Sequence, residues 1–287
     1  MKWRRNMVVA AVLVIIAFTA GGDDLSVRGG SFRTGREAYS GDAPTWPINP
    51  DFKKDGFAFA RLQYTARHDL YGTGHVDAEN RWLIDFPLGD LDLSYRLHQM
   101  TSLNVDPDSR VVKMTDKEMS DYPFLYVVEP GRGVFKDEEI PIMRKYLLNG
   151  GFLMFDDFWG NREWEAFAEE MERLFPAASY PKQKMVDLEM DHPIFHSVFD
   201  LKEKPQVPGI PHFIRRGSTH ERNADGAEVH YRGIHDDKGR LIVLACHNTD
   251  LGDGWEREGE NEEYFQQFSE PKAFPMGINA IVYAMTH

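Results

Sequence analysis

Two rhythms of apolar residues run along this chain. Short continuous apolar runs, the mark of strands buried on both faces, occupy residues 57–64, 110–114, 124–128, 152–155, 185–188, 229–234 and 241–246. Between them, apolar positions return every three or four residues, as on one face of a helix. Leu93, Leu97 and Met100 form such a face from about Asp90, the expected N-cap. Ile140, Met143 and Leu147 form another in residues 137–148, with Asp137, Glu138 and Glu139 in the first turn. Trp164, Phe167, Ala168, Met171, Leu174 and Phe175 mark a third, closed by Pro176. A last helix opens at Pro275 and turns Ile278, Ile281, Val282 and Met285 inward.

Strands alternating with amphipathic helices predict an α/β fold, a mostly parallel sheet covered by helices on both faces. The punctuation agrees. Asn149-Gly150-Gly151 ends a helix by permitting positive φ, and the strand 152–155 follows at once. Residues 229–234 and 241–246, joined around Asp236-Asp237-Lys238-Gly239, read as a hairpin. That pairing leaves open which way 241–246 runs relative to 152–155. Residues 205–211 are a proline-rich excursion and 215–228 a polar loop. No repeat is evident.

The first 22 residues have a different grammar. Lys2, Arg4 and Arg5 precede an apolar run over 7–18 and small residues over 19–22, the pattern of a secretory signal. The run is short for a bilayer span, which needs about 20 residues, and an uncleaved anchor is the alternative. Residues 23–55, rich in glycine and proline, read as an arm or linker, and 56–287 as one domain. The chain is therefore expected to be exported, periplasmic or anchored facing the periplasm, touching membrane only through its N-terminal segment. Removing the three N-terminal cations takes the formal charge from −13 to −16. That charge disfavours nucleic acid as a partner. The single cysteine, Cys246, excludes an internal disulfide and lies in an apolar strand, where a buried hydrophobe is expected.

Candidate chemistry gathers where the strand 152–155 stops, at Asp156-Asp157, because ligands of open α/β sheets bind beyond the carboxyl ends of the strands. Either both carboxylates cap and tie down the turn, or one, Asp157, is a general base or hydroxyl acceptor. Trp159 beside them either covers the core or offers a stacking surface to a sugar. His247 and Asn248 follow another strand, and His192 is held extended by Pro193. Arg61, among apolar neighbours, needs a carboxylate partner, for which Asp85 or Asp157 is available, or binds an anionic ligand. His192, His247 and Asp157 have ligand chemistry suited to a divalent ion but no recognisable ligand spacing, so no metal and no cofactor are assigned.

Several strings carry a resemblance: residues 59–64, Asp85-Phe86-Pro87, residues 122–126, residues 150–157, residues 191–195 and Gly277-Ile278-Asn279. Together they resemble the bacterial family called domain of unknown function 4159, over roughly residues 57–287. More distantly, residues 150–155, His192-Pro193-Ile194, residues 239–247 and Gly277-Ile278 are similar to the class I glutamine amidotransferase-like superfamily, above all its trehalose-utilisation branch. The resemblance implies a flavodoxin-like three-layer sandwich. Where glutaminases of that superfamily carry a cysteine, this chain has Asp156-Asp157, so glutaminase chemistry is not expected. Two functions follow as expectations. One is a binding or assembly module of the bacterial envelope, with membrane-associated proteins of the von Willebrand A and MoxR ATPase types as implied partners. The other is a carbohydrate-active hydrolase with Asp157 and His247, or His192, as catalytic groups. In it Arg61, Asp156, Trp159 and Asn248 would serve the ligand.

Overall fold

Five neighbouring parallel strands form the larger part of the sheet in the computed structural model, which describes residues 33–39, 41–48, 56–66, 78–222 and 224–287. In chain order the elements open with a short helix α1 (Gly35–Ala38), then β1 (Ala60–Gln63) and β2 (Thr65–Ala66). Next come α2 (Leu88–Met100), β3 (Arg110–Lys113), β4 (Phe124–Val128), β5 (Gly133–Val134) and α3 (Glu139–Leu148). The second half holds β6 (Phe152–Phe158), α4 (Gly160–Leu174), β7 (Val186–Asp187), α5 (Ile210–Arg216), β8 (His230–His235) and β9 (Leu241–His247). It closes with α6 (Leu251–Glu256), α7 (Glu262–Tyr264) and α8 (Phe274–Thr286). The sheet runs β3-β1-β4-β6-β9-β8-β7, and β2 pairs with β5 apart from it. Strands β3, β1, β4, β6 and β9 are parallel, whereas β8 is antiparallel to both its neighbours. The direction left open by the hairpin is thereby decided: β9 runs with β6, and their carboxyl ends share one rim.

The chain passes from β1 outward to β3 and then back across to β4. This reversal of order places a crevice at the carboxyl ends of β1 and β4, the usual ligand position in such sheets. The sheet divides two apolar clusters. Phe124, Phe152, Met154 and Leu244 pack with residues of α2, α6 and α8. Leu125, Leu153, Phe155 and Val243 pack with residues of α3 and α4. Alternate residues of β6 thus feed opposite clusters, as the pleat requires. A fully buried Phe or Leu contributes about 1.5–3 kcal/mol, and β6 and β9 are buried throughout, so these two strands anchor the rim.

Two expectations need correction. Asp90 does not cap α2: the helix starts earlier, after Pro87, and Asp90 lies buried in its first turn facing Arg61. The proline-rich excursion ends in α5, because Pro211 occupies a first-turn position that needs no N–H. Part of the N-terminal arm docks on the sheet edge, where Thr34 bridges Arg110 and caps α1 by accepting from the Glu37 N–H. No helix of the described residues is long and apolar enough to cross a membrane.

Candidate functional site: a carboxylate rim

Three neighbouring parallel strands end in the same unusual way. Glu129 after β4, Asp157 in β6 and Asn248 after β9 have φ of 47°, 56° and 63°, and Asp85, ahead of α2, has φ of 60°. Left-handed backbone at a side-chain-bearing residue costs of order 1–3 kcal/mol, and glycine would avoid that cost. Four polar side chains stand there instead. At Asp157 the consequence is visible in the register. The pairing of β6 with β9 shifts between Phe155 and Phe158, a bulge. Phe158, not Asp157, therefore joins Phe155 in the second apolar cluster.

Asp156 and Asp157 consequently part company. Asp156 is fully buried, and its Oδ2 accepts the Tyr126 hydroxyl (3.0 Å) and the Leu251 and Gly252 N–H groups (2.9 and 3.0 Å). It ties the start of α6 to the sheet. Burial raises its pKa to about 7 even against those donors. Gly252 has no room for a side chain: a Cβ would run into Asp85 Oδ2 and lie 2.8 Å from the Tyr126 hydroxyl.

Asp157 meets Asp85 and Asp250, and one oxygen of each lies within 4.8 Å of the other two. All three are buried, at 8 %, 8 % and 5 % exposure in the order Asp157, Asp85, Asp250. Asp157 Oδ1 accepts the Trp159 indole N–H at 2.9 Å, and Asp250 Oδ1 accepts the Asp253 N–H at 2.8 Å. Asp85 Oδ2 has no hydrogen-bond donor. Among the described residues no cationic side chain forms an ion pair with any of the three. Burial raises the pKa of each well above the usual carboxylate range, and their like-charged neighbours add to the shift. Those neighbours are Glu129 and Glu221 for Asp157, Glu256 and Asp253 for Asp85, and Asp157 and Asp253 for Asp250. At 4.8 Å and an effective dielectric of about 20, each ionised pair repels by roughly 3–4 kcal/mol.

A second trio, Asp85, Asp253 and Glu256, shares Asp85 with the first. Its electrostatics differ, because Arg257 pairs with both Asp253 (3.2 Å) and Glu256 (2.8 Å). Asp253 also accepts the Ile210 N–H at the start of α5. In the Asp85–Asp157–Asp250 trio no described cation is in an ion pair, and Arg61 only partly offsets the rise at Asp85 from a distance. Hard oxygen donors of this kind suit calcium, magnesium or manganese rather than zinc or copper.

A profile described as Domain of unknown function (DUF4159) matches residues 58–285, most of the chain and the whole of this rim. The chain belongs to that family. No curated protein matches it.

Within this DUF4159 domain the residues picked out from sequence do not all assemble. Asp157 is at the rim. Arg61 is fully buried, paired with Asp90 rather than Asp85 or Asp157, at 2.5–3.1 Å. It also donates to the Trp82 and Ile84 carbonyls. Burial alone would lower its pKa, but Asp90 more than offsets this and keeps the guanidinium charged. Trp159 is 3 % exposed, a donor to Asp157 and not an open stacking platform. Asn248 accepts the Gly160 N–H and donates to the Asp225 and Glu228 carbonyls, so its work is to clamp the loop 225–228 onto α4.

Neither histidine reaches Asp157. His247 is buried between Phe158, Trp164 and His230, with Nε2 on the Gly160 carbonyl and Nδ1 on Arg232. His192 is at the other end of the sheet. Its Nδ1 accepts the Ile194 N–H, and its Nε2 faces His235, which pairs with Leu241 at the start of β9. The length of β9 separates it from the rim, about 20 Å at roughly 3.3 Å per residue. Cys246 is fully buried, and burial pushes its thiol pKa well up, away from a nucleophilic thiolate.

Asp85 and Asp250 were not among the sequence candidates. The available signal was density: Asp250-Leu251-Gly252-Asp253-Gly254 packs four small or acidic turn formers shortly after a buried strand.

Proposed function

We propose that this chain is a divalent-cation-binding module of the bacterial cell envelope, with Asp85, Asp157 and Asp250 as the oxygen ligands of one ion. A single observation carries the reading: three buried carboxylates converge without a cationic partner among the described residues, and Asp85 Oδ2 lacks a donor. One dication would offset two of the three negative charges. The hydrolase alternative is not retained, since it required Asp157 to work with His247 or His192.

The wider setting belongs to the same proposal. The strand order β3-β1-β4-β6-β9 supports a flavodoxin-like sandwich distantly related to the amidotransferase-like superfamily, with Asp156-Asp157 at the glutaminase cysteine's place. The charged start and apolar run of residues 1–22 support export to the periplasmic side. The implied partners are membrane-associated envelope proteins.

The test is calorimetric. Full-length protein stripped with a chelator is melted alone and with Ca2+, Mg2+ or Mn2+. An ion at a hundred times its Kd should stabilise by about 2.7 kcal/mol. Asp85→Asn, Asp157→Asn and Asp250→Asn should each remove most of that gain. Equal cation effects in the wild type and all three variants would reject the site.

A further inference from the structure

Beside the trio lies a strip of arginines with carboxylates beneath them. Glu129 follows β4, and its N–H donates to the carbonyl of Asp156 at 3.0 Å, so it stands one strand away from Asp157. Arg81 and Arg132 reach Glu129 at 3.4 and 3.6 Å. Arg132 and Arg222 reach Glu163 at 3.7 and 3.0 Å. Trp159 joins the strip to the trio: its backbone N–H donates to Glu163 and its indole N–H to Asp157, both at 2.9 Å. The two glutamates are the more buried members, with side-chain exposures of 13 % and 4 %, while Arg81, Arg132 and Arg222 are 23 %, 15 % and 43 % exposed. Each glutamate lies deeper than the arginines that reach it except at the Arg132–Glu129 pair, where the two are about equally buried, and Arg222 is the most exposed of the three guanidiniums.

We propose that the rim takes a phosphate-bearing ligand. One phosphate oxygen would sit on the cation held by Asp85, Asp157 and Asp250, and the others on Arg81, Arg132 and Arg222. This rests on the cation reading above. Three carboxylates fill only part of the coordination shell of a hard dication, and phosphate oxygens are habitual partners for the remaining positions. Guanidinium forks match phosphate oxygens in geometry, and a tetrahedral dianion serves a cation and three guanidiniums better than a two-oxygen carboxylate can. Without the cation, the neighbouring aspartates, together with Glu221 close by, would repel the same anion. Binding is therefore cation-dependent.

The experiment uses full-length protein loaded with Mn2+. The 31P line of inorganic phosphate is followed for paramagnetic broadening, and co-sedimentation with phosphatidylcholine vesicles containing phosphatidic acid is measured with and without Mn2+. The expected result is Mn2+-dependent binding of at least one probe, weakened about tenfold or more by Arg81→Gln or Arg222→Gln, as for a lost charge-assisted hydrogen bond. Mn2+ affinity should hardly change in these variants. Broadening alone would identify free phosphate as the source of the group, and vesicle binding alone a lipid headgroup. Tight Mn2+ binding with neither probe bound, or binding indifferent to both arginines, overturns the phosphate inference and leaves the cation site standing. Absence of Mn2+ binding overturns both.

Discussion

The indole N–H of Trp159 donates to Oδ1 of Asp157 at 2.9 Å, two residues along the chain. The positive φ at Asp157 makes this contact possible, because it turns the carboxylate out of the strand's alternation and over the following residues. Trp159→Phe keeps most of the ring and removes the donor. In chelator this variant should lose about 1–3 kcal/mol in urea unfolding, the cost of a buried acceptor left unpaired, plus a packing loss. With Ca2+ present the ion supplies the missing partner, and part of the loss should return. A deficit of the same size in both conditions would mean that Oδ1 is not a ligand.

Asn248 allows backbone strain and side-chain bonding to be separated. Its φ of 63° suits glycine, yet its side chain makes three hydrogen bonds that hold residues 225–228 against the start of α4. Asn248→Gly keeps the backbone at ease and loses the bonds, whereas Asn248→Ala loses the bonds and keeps the strain. Both should destabilise, and the alanine variant should be worse by about 1 kcal/mol or more. Native-state hydrogen exchange should show faster exchange at Gly160 in both. Slow exchange there in the glycine variant would show that the clamp is dispensable.

The architecture was largely legible in the pattern of apolar runs, because the central strands β4, β6 and β9 are buried on both faces and α3 and α4 bury one face each. The strand 124–128 and the stop at Asn149-Gly150-Gly151 coincide with the structure. The candidate site was half legible. Asp157 follows from the general rule about strand ends, whereas the sequence left open whether Asp156 and Asp157 share one role or divide two. The bulge and positive φ that bring Asp157 toward Asp85 and Asp250 leave no mark in residue spacing, because the three ligands come from different crossovers. Arg61 shows the same limit. Its need for a carboxylate is a matter of burial, but Asp90 as the partner depends on α2 starting just after Pro87, two residues ahead of the expected cap.

That Arg61–Asp90 pair supports a third prediction. Both side chains are essentially inaccessible, at 1 % and 0 % exposure. Removing one partner strands a buried charge, so Arg61→Met should cost about 3–5 kcal/mol in urea unfolding. Replacing both with apolar residues of similar volume, as in Arg61→Met with Asp90→Leu, should recover much of the loss, since neither charge is then left unpaired. The carbonyls of Trp82 and Ile84, which Arg61 also serves, keep the recovery incomplete. A double variant as unstable as the single one would indicate that those carbonyl bonds, not the ion pair, dominate.

His247 sets the behaviour in acid. Burial holds its pKa down at about 4 from an ordinary 6.5, with Arg232 and His230 opposing protonation and the Gly160 carbonyl and Asp225 favouring it. A group harder to protonate in the folded state binds more protons when unfolded, so its stabilisation is full above about pH 6.5 and is lost as pH falls toward 4. A shift of this size corresponds to at most about 3 kcal/mol. The raised carboxylates work in the opposite sense, gaining relative stability as they protonate, so the wild-type curve alone does not isolate the histidine. The difference between wild type and His247→Phe does, because Phe158, Trp164 and His230 still stack on a ring at that position. Urea unfolding of both proteins in chelator between pH 7 and 4.5 should show the wild type losing stability relative to the variant by about 1–3 kcal/mol. Parallel curves would place the acid sensitivity elsewhere, with His192, whose pKa is also lowered to about 4, as the next candidate.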